Sequence, residues 1–214
     1  MYVKQALKIW WCCFCTFMLV IGLTESFWEN IIGLLDITGW MLLKNLFVIL
    51  VFVLVAVSLY KLCPILRWSW ICLFKDKEES EDGEKEMNGG NIWLFPARVK
   101  YFGLFFILLF ILNLPQFALA EEEWFREGIQ NWREGILMSV LFGMIHCLVG
   151  VPLAIGLALI ISGMWFTHQY FIGGIELSTL HHTSYNLIVL SVLFLILLAE
   201  QFFKPRDKKE LTRE

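Results

Sequence analysis

The chain has 214 residues, 58% of them apolar, and a net charge of −3 from 17 basic and 20 acidic side chains. Its mean hydropathy of +0.68 stands well above the roughly half-apolar mix of soluble domains, so a soluble domain is excluded and an integral membrane protein is expected. Apolar runs are continuous rather than alternating, which predicts an all-α, polytopic bundle of about six transmembrane spans and argues against a barrel. No basic patch interleaved with aromatics is present, so no nucleic-acid partner is expected.

The N-terminus is basic and then apolar, like a signal sequence, but Thr24-Glu25-Ser26 is a poor cleavage context, and a retained first span over Ile9–Leu23 is expected. Trp10, Trp11 and Trp28 flank it at interface positions. Thr24–Trp40, carrying Glu25, Glu29 and Asp36, reads as a connector, and Met41–Tyr60 as the cleanest span, with Lys44 near its start. Lys61–Phe74, with Pro64, Arg67, Trp68 and Trp70, has the character of a segment lying along headgroups. Residues 1–74 thus form an N-terminal two-span region. Lys75–Asn91 is dominated by charge and lacks the side chains to build a core, so 75–100 is expected to be a flexible cytoplasmic loop.

A third span begins near Tyr101 and is kinked or ended by Pro115, with helix resuming through Glu121-Glu122-Glu123 to about Trp132. Glu134-Gly135 reads as a turn, Ile136–Gly150 as a fourth helix, and Pro152 as the first turn of a fifth that reaches about Tyr170. Gly173-Gly174 breaks the chain before a sixth helix, Glu176–Phe202, and 204–214 is a charged tail. If six spans alternate, the Lys and Arg residues of the N-terminus, the 61–100 loop and the tail fall on one side, leaving only Lys44, Arg126 and Arg133 elsewhere. Both termini are then cytoplasmic. The six cysteines show no disulfide framework and no metal-ligand spacing with histidine; most sit in apolar runs as small hydrophobes.

Ionisable groups inside membrane helices are costly and are functional candidates by default. All four histidines (His146, His168, His181, His182) and the glutamate run fall within 120–186. Glu122 and Arg126, Phe142 and His146, and His182 and Asn186 are each four residues apart, which places each pair on one helix face. Glu122 and His146 have their midpoint at residue 134, so a hairpin turning beside Gly135 would bring both to one depth, about 18 Å from its tip at 1.5 Å per residue. The spacing permits this convergence without requiring it. Taken singly, each group has a plainer reading: Glu121–Glu123 as a solvated helix start, His146 as a satisfied core histidine, His181 as a neighbour, His168 as part of an aromatic belt with Trp165 and Tyr170, and Arg126 as a structural partner.

Glu121-Glu122-x-x-x-Arg126, Phe142-x-x-x-His146 and His182-x-x-x-Asn186 resemble, in order, the three motifs of the CPBP intramembrane proteases, a group that includes CAAX prenyl proteases and bacteriocin-processing and abortive-infection proteins. The resemblance spans about Ala120–Leu198 and marks 101–203 as a catalytic membrane domain. It implies an intramembrane endopeptidase in which Glu122, with Glu121 as its neighbour, is the general base. His146 would assist water activation or bind a metal, zinc by its ligand types. His182 and Asn186 would ligate it or donate to the oxyanion, Arg126 would set the carboxylate charge, and Phe142 would support the site. The partners implied are the lipid bilayer and a membrane-associated peptide or protein substrate. The alternatives are a non-catalytic membrane protein of the same fold (immunity factor, scaffold or binder) and, more remotely, a proton-coupled transporter using Glu122 and His146 as a relay.

Overall fold

The computed structural model describes residues 2–69, 102–148 and 150–203, and among these the fold is all-α. Helix α1 spans Tyr2–Leu35, α2 Gly39–Leu62, α3 Phe102–Leu112, α4 Leu114–Arg126, α5 Trp132–Leu148 and α6 Leu153–Phe203, with a short 3₁₀ turn at Pro64–Arg67. The charged segment Lys75–Asn91, the remainder of the expected 75–100 loop and the 204–214 tail lie outside the described residues, and the expected headgroup segment is described only as far as Ser69. Ile9–Leu35, Gly39–Leu62 and Leu153–Ile196 are each long and apolar enough to cross a membrane, and the bent pair Gly103–Leu112 and Leu114–Arg126 makes a fourth candidate. The outward faces suit lipid: Phe47, Leu50 and Leu54 on α2 are all more than half exposed.

The final element is a folded helical hairpin. Gly173 (φ −142°) and Gly174 (φ +70°, ψ −164°) leave the helical region, and glycine alone adopts the latter conformation freely. Ser178 Oγ lies 2.9 Å from the carbonyl oxygen of Phe166, although a straight helix would hold residues twelve apart roughly 18 Å from each other. Ser162 Oγ donates to Tyr185 Oη at 3.0 Å, and the Phe166 and His182 rings stack at 4.4 Å. Limbs 153–172 and 175–203 therefore run antiparallel about Gly173-Gly174, where the sequence places the break between its fifth and sixth helices.

Two boundaries differ from expectation. The expected connector Thr24–Trp40 is helical as far as Leu35, kinked at Ser26 (φ −125°, ψ 28°). Glu25 and Glu29, on either side of the kink, are exposed, so neither acid has to be buried for the helix to continue. The turn expected at Glu134-Gly135 falls instead at 127–131. Asn131 Oδ1 accepts from Glu134 N at 3.1 Å, while the Glu134 carboxylate accepts from Asn131 Nδ2 and Gln130 N, both at 2.8 Å. This reciprocal cap starts α5 at Trp132, and Gly128 (φ +83°) makes the reversal.

Pro115 breaks the third span as expected, and the break is built with polar side chains. Helices α3 and α4 meet at 58°. Asn113 Nδ2 donates to Leu109 O at 2.8 Å and to Leu19 O of α1 at 3.1 Å. Gln116 N, displaced from its helical acceptor, donates to Asn30 Oδ1 of α1 at 3.1 Å. Leu109 O and Gln116 N, both displaced from their helical partners by the bend, thus each meet a buried amide, as the interior of a membrane protein favours.

Helix α5 meets the first limb of α6 through small residues. A side chain at Gly143 would strike the Gly156 carbonyl, and one at Gly163 would press on Ser139. Gly143→Leu should therefore destabilise the fold by about 1–3 kcal/mol, read as a lower Tm for the purified protein in detergent, whereas Gly39→Ala, where a Cβ meets nothing within 4 Å, should leave it unchanged.

Candidate functional site

Helix α4 carries three successive glutamates, and a 100° step per residue sends them in different directions. Glu122 points into the bundle and is fully buried; Glu121 is 41% exposed at its side chain. Glu122 Oε1 lies 3.2 Å from Arg126 Nη1 and accepts from His182 Nδ1 at 2.8 Å. Glu122 Oε2 accepts a hydrogen bond from Ser178 Oγ. Both oxygens of this carboxylate are thus committed to partners on α4 itself and on the second limb of α6.

Arg126, also fully buried, donates through Nη2 to Gly163 O at 3.2 Å. Its guanidinium lies 4.5 Å from the Phe142 ring centroid and 5.6 Å from those of Phe125 and Phe166. Aromatic faces stabilise a desolvated cation by about 2 kcal/mol or more, so the rings of α4, α5 and α6 enclose the charge that the carboxylate neutralises.

Phe142 is the hub between the histidines. His146 stands edge-on to it at 4.9 Å, and His182 at 5.7 Å. His146 Nδ1 donates to Phe142 O at 2.7 Å; a carbonyl only accepts, so the ring proton is on Nδ1 and Nε2 presents a lone pair. His182 Nδ1 is held by Glu122, and its Nε2 lies 3.7 Å from Glu121 Oε2. Asn186 lies one turn beyond His182 on the face that continues to Leu190 and Leu193. The turn at 127–131 rather than 134–135 alters the expected mirror relation of Glu122 and His146. Phe125 and Arg126 meet Phe142, and His146 lies one turn further along α5.

Glu121 and His146 line a cavity of about 590 Å³ whose remaining walls are largely apolar and aromatic, including Leu19 of α1, Phe110 of α3, Trp124 of α4 and Leu190 and Leu193 of α6. Glu122 is not among its lining residues. An acid and an imidazole on the wall of an otherwise apolar pocket are the arrangement expected of a site that orients one polar group of an apolar ligand.

The other two histidines lie elsewhere. His168 stacks on Trp165 at 5.7 Å and faces Trp132 at 6.2 Å. His181 lies edge-on to Trp165 at 5.4 Å, beside Asn45 of α2. Sequence reasoning passes over two residues that the site uses. Ser178 completes a Ser178-x-x-x-His182-x-x-x-Asn186 stripe, and Asn45 is a buried amide in an otherwise apolar span. Helical spacing would have found the first, and the cost of an amide in a membrane the second.

Comparison with protein-family models, curated proteins and solved structures finds no match.

The donor types fit zinc: two imidazoles, each with Nδ1 anchored so that Nε2 is the free nitrogen, and a carboxylate beside them. Among the described residues, however, no three His, Cys, Asp or Glu side chains converge as a ligand set.

The buried pair sets the stability of the site. Arg126→Leu leaves Glu122 without its cation in a dry interior and should destabilise the fold by about 3–5 kcal/mol. The double variant Glu122→Gln/Arg126→Leu should recover part of that loss. Thermal unfolding of the wild type, Glu122→Gln, Arg126→Leu and the double variant in the same detergent gives the coupling directly.

Proposed function

We propose that the protein is a multi-pass intramembrane endopeptidase of the CPBP kind, and that Glu121 rather than Glu122 is its general base. The observation that carries this reading is the unequal setting of the two glutamates. Glu122 is fully buried with both oxygens engaged, whereas Glu121 lines the cavity with His146 and approaches His182 Nε2. A base has to reach water and substrate, and of the two glutamates only Glu121 lies on a cavity wall.

In the proposed reaction a water molecule sits between Glu121 and the free Nε2 of His146. Glu121 takes one proton as the water oxygen adds to the scissile carbonyl carbon. His146 accepts a hydrogen bond from the remaining O–H and orients it. The oxyanion that forms would be met by the donors His182 and Asn186, which lie one turn apart on the second limb of α6. Glu121 returns the proton to the amide nitrogen as the C–N bond breaks. Glu122 and Arg126 keep the His182 ring oriented and take no proton. A zinc ion, if bound, would draw on His146, His182 and Glu121 and would polarise the carbonyl; because those donors do not converge among the described residues, no step is assigned to it.

The substrate in this reading is a membrane-associated peptide or protein whose apolar residues flank the scissile bond, because apolar side chains line the cavity beside the acid and the imidazole. Six crossings are supported by the hairpin in α6 and by α5, whose 17 residues span about 25 Å. The turns at 127–131 and 173–174 share one end, where Gly128 N donates to Tyr170 Oη at 3.3 Å. Ser69 and Gly150 meet at the other end, at 2.8 Å. Both termini are then cytoplasmic, with most of the Lys and Arg on that side.

Reconstituted protein screened against quenched peptides bearing apolar flanks tests the reading. Glu121→Gln should lower cleavage by at least about 100-fold with Tm unchanged, whereas Glu122→Gln should chiefly lower Tm. Full cleavage by a folded Glu121→Gln protein would remove Glu121 from the role of base.

A further inference from the structure

Asn45 is fully buried in the middle of the bundle, and its carboxamide has partners on both limbs of the α6 hairpin. Trp165 Nε1, on the first limb, donates to Asn45 Oδ1 at 2.7 Å. On the second limb, Asn45 Nδ2 donates to His181 O at 2.9 Å and also to Ser184 Oγ. Ser184 Oγ in turn donates to His181 O at 3.1 Å. The His181 carbonyl belongs to the peptide unit that enters His182, so two side-chain hydrogen bonds add to the helix's own at the peptide from which the His182 side chain departs.

An amide in a membrane span is expensive without partners, and packing alone would be served by an aliphatic side chain there. What the amide adds is directionality. It reads an indole on one limb and a carbonyl and a hydroxyl on the other, so it is fully bonded in only one register of the two limbs. That register stacks Phe166 on His182 at 4.4 Å and brings His182 Nδ1 to 2.8 Å from Glu122.

We propose that Asn45 of α2 is a positioning residue for His182: it staples the two limbs of the α6 hairpin and locks the 181–182 peptide so that the imidazole meets Glu122 and faces Glu121. Its consequence for catalysis rests on the peptidase reading; its effect on the His182 ring does not.

The test uses the full chain in nanodiscs, labelled with ¹⁵N-histidine, so that NMR reports the hydrogen bonding of each imidazole. His182→Asn assigns the His182 signals. Asn45→Leu should move or broaden those signals while the His146 signals stay in place. With a peptide that the wild type cleaves, Asn45→Leu should lower kcat by about 10- to 100-fold, the scale of a misplaced catalytic group, with KM altered by less than about twofold. Ser184→Ala removes one partner without disturbing α2 and should give a smaller shift in the same direction; it decides the matter if Asn45→Leu does not fold. Folded variants whose His182 signals coincide with wild type, or whose kcat is retained, overturn the proposal. The NMR arm needs no substrate, so a wild-type protein that cleaves nothing overturns the peptidase reading while that arm still decides for Asn45.

Discussion

The bundle depends on one buried ion pair, Glu122 with Arg126. Removing two charges from water costs several kcal/mol per ion even after the protein relaxes, and their mutual attraction offsets that only with good geometry and further hydrogen bonds. The fold supplies both from every adjoining element. Ser178 and His182 on one limb of α6 bond the carboxylate, Gly163 on the other limb accepts from the guanidinium, and Phe125, Phe142 and Phe166 close over the cation. Lipid-embedded helices gain little from apolar contact alone, because lipid is as apolar as leucine. A pair that meets its partners in a single arrangement therefore sets register in a way that packing cannot.

Once the pair is fixed, the helical repeat separates the chemistry of neighbouring residues. Glu121 and Glu122 have the same side chain, yet one step of 100° places the first on the cavity wall and the second in a closed polar cluster. Two like groups acquire different roles through environment rather than identity, a general pattern for paired carboxylates in sites. His182 links them: its Nδ1 belongs to the buried cluster and its Nε2 to the cavity side, so the geometry of the ion pair is transmitted to the exposed glutamate through one ring.

Legibility in the sequence followed the physics that local residues can express. Gly173-Gly174 announces a break because only glycine adopts the required backbone, and Pro115 announces another because it lacks an N–H. The three i, i+4 pairs are readable because helix faces are periodic. What was not readable depended on partners distant in the chain. Thr24–Trp40 reads as a connector from its acids, but its Asn30 is held by the bend at Gln116, 86 residues away. Asn45 is inconspicuous among Phe, Val and Leu until Trp165 and His181 are beside it. The glutamate near the turn, Glu134, resembles a loop residue in sequence, whereas with Asn131 it forms the cap of α5. Glu121 and Glu122 cannot be told apart without knowing which way α4 is rotated.

The cavity itself follows from the broken helix. The 58° bend turns α4 away from the line of α3. The carboxamides of Asn113 and Asn30 hold that bend against α1, so it is a fixed feature and not a passive consequence of Pro115. The space bounded by α1, α3, α4, α5 and the second limb of α6 is lined by residues on both sides of the bend, Phe106 and Phe110 before it and Phe117 and Glu121 after it. The polar groups that make the break tolerable in a membrane are therefore what give Glu121 a cavity to face. The same rule, that every freed backbone group must find a partner, governs both the architecture and the place where chemistry becomes possible.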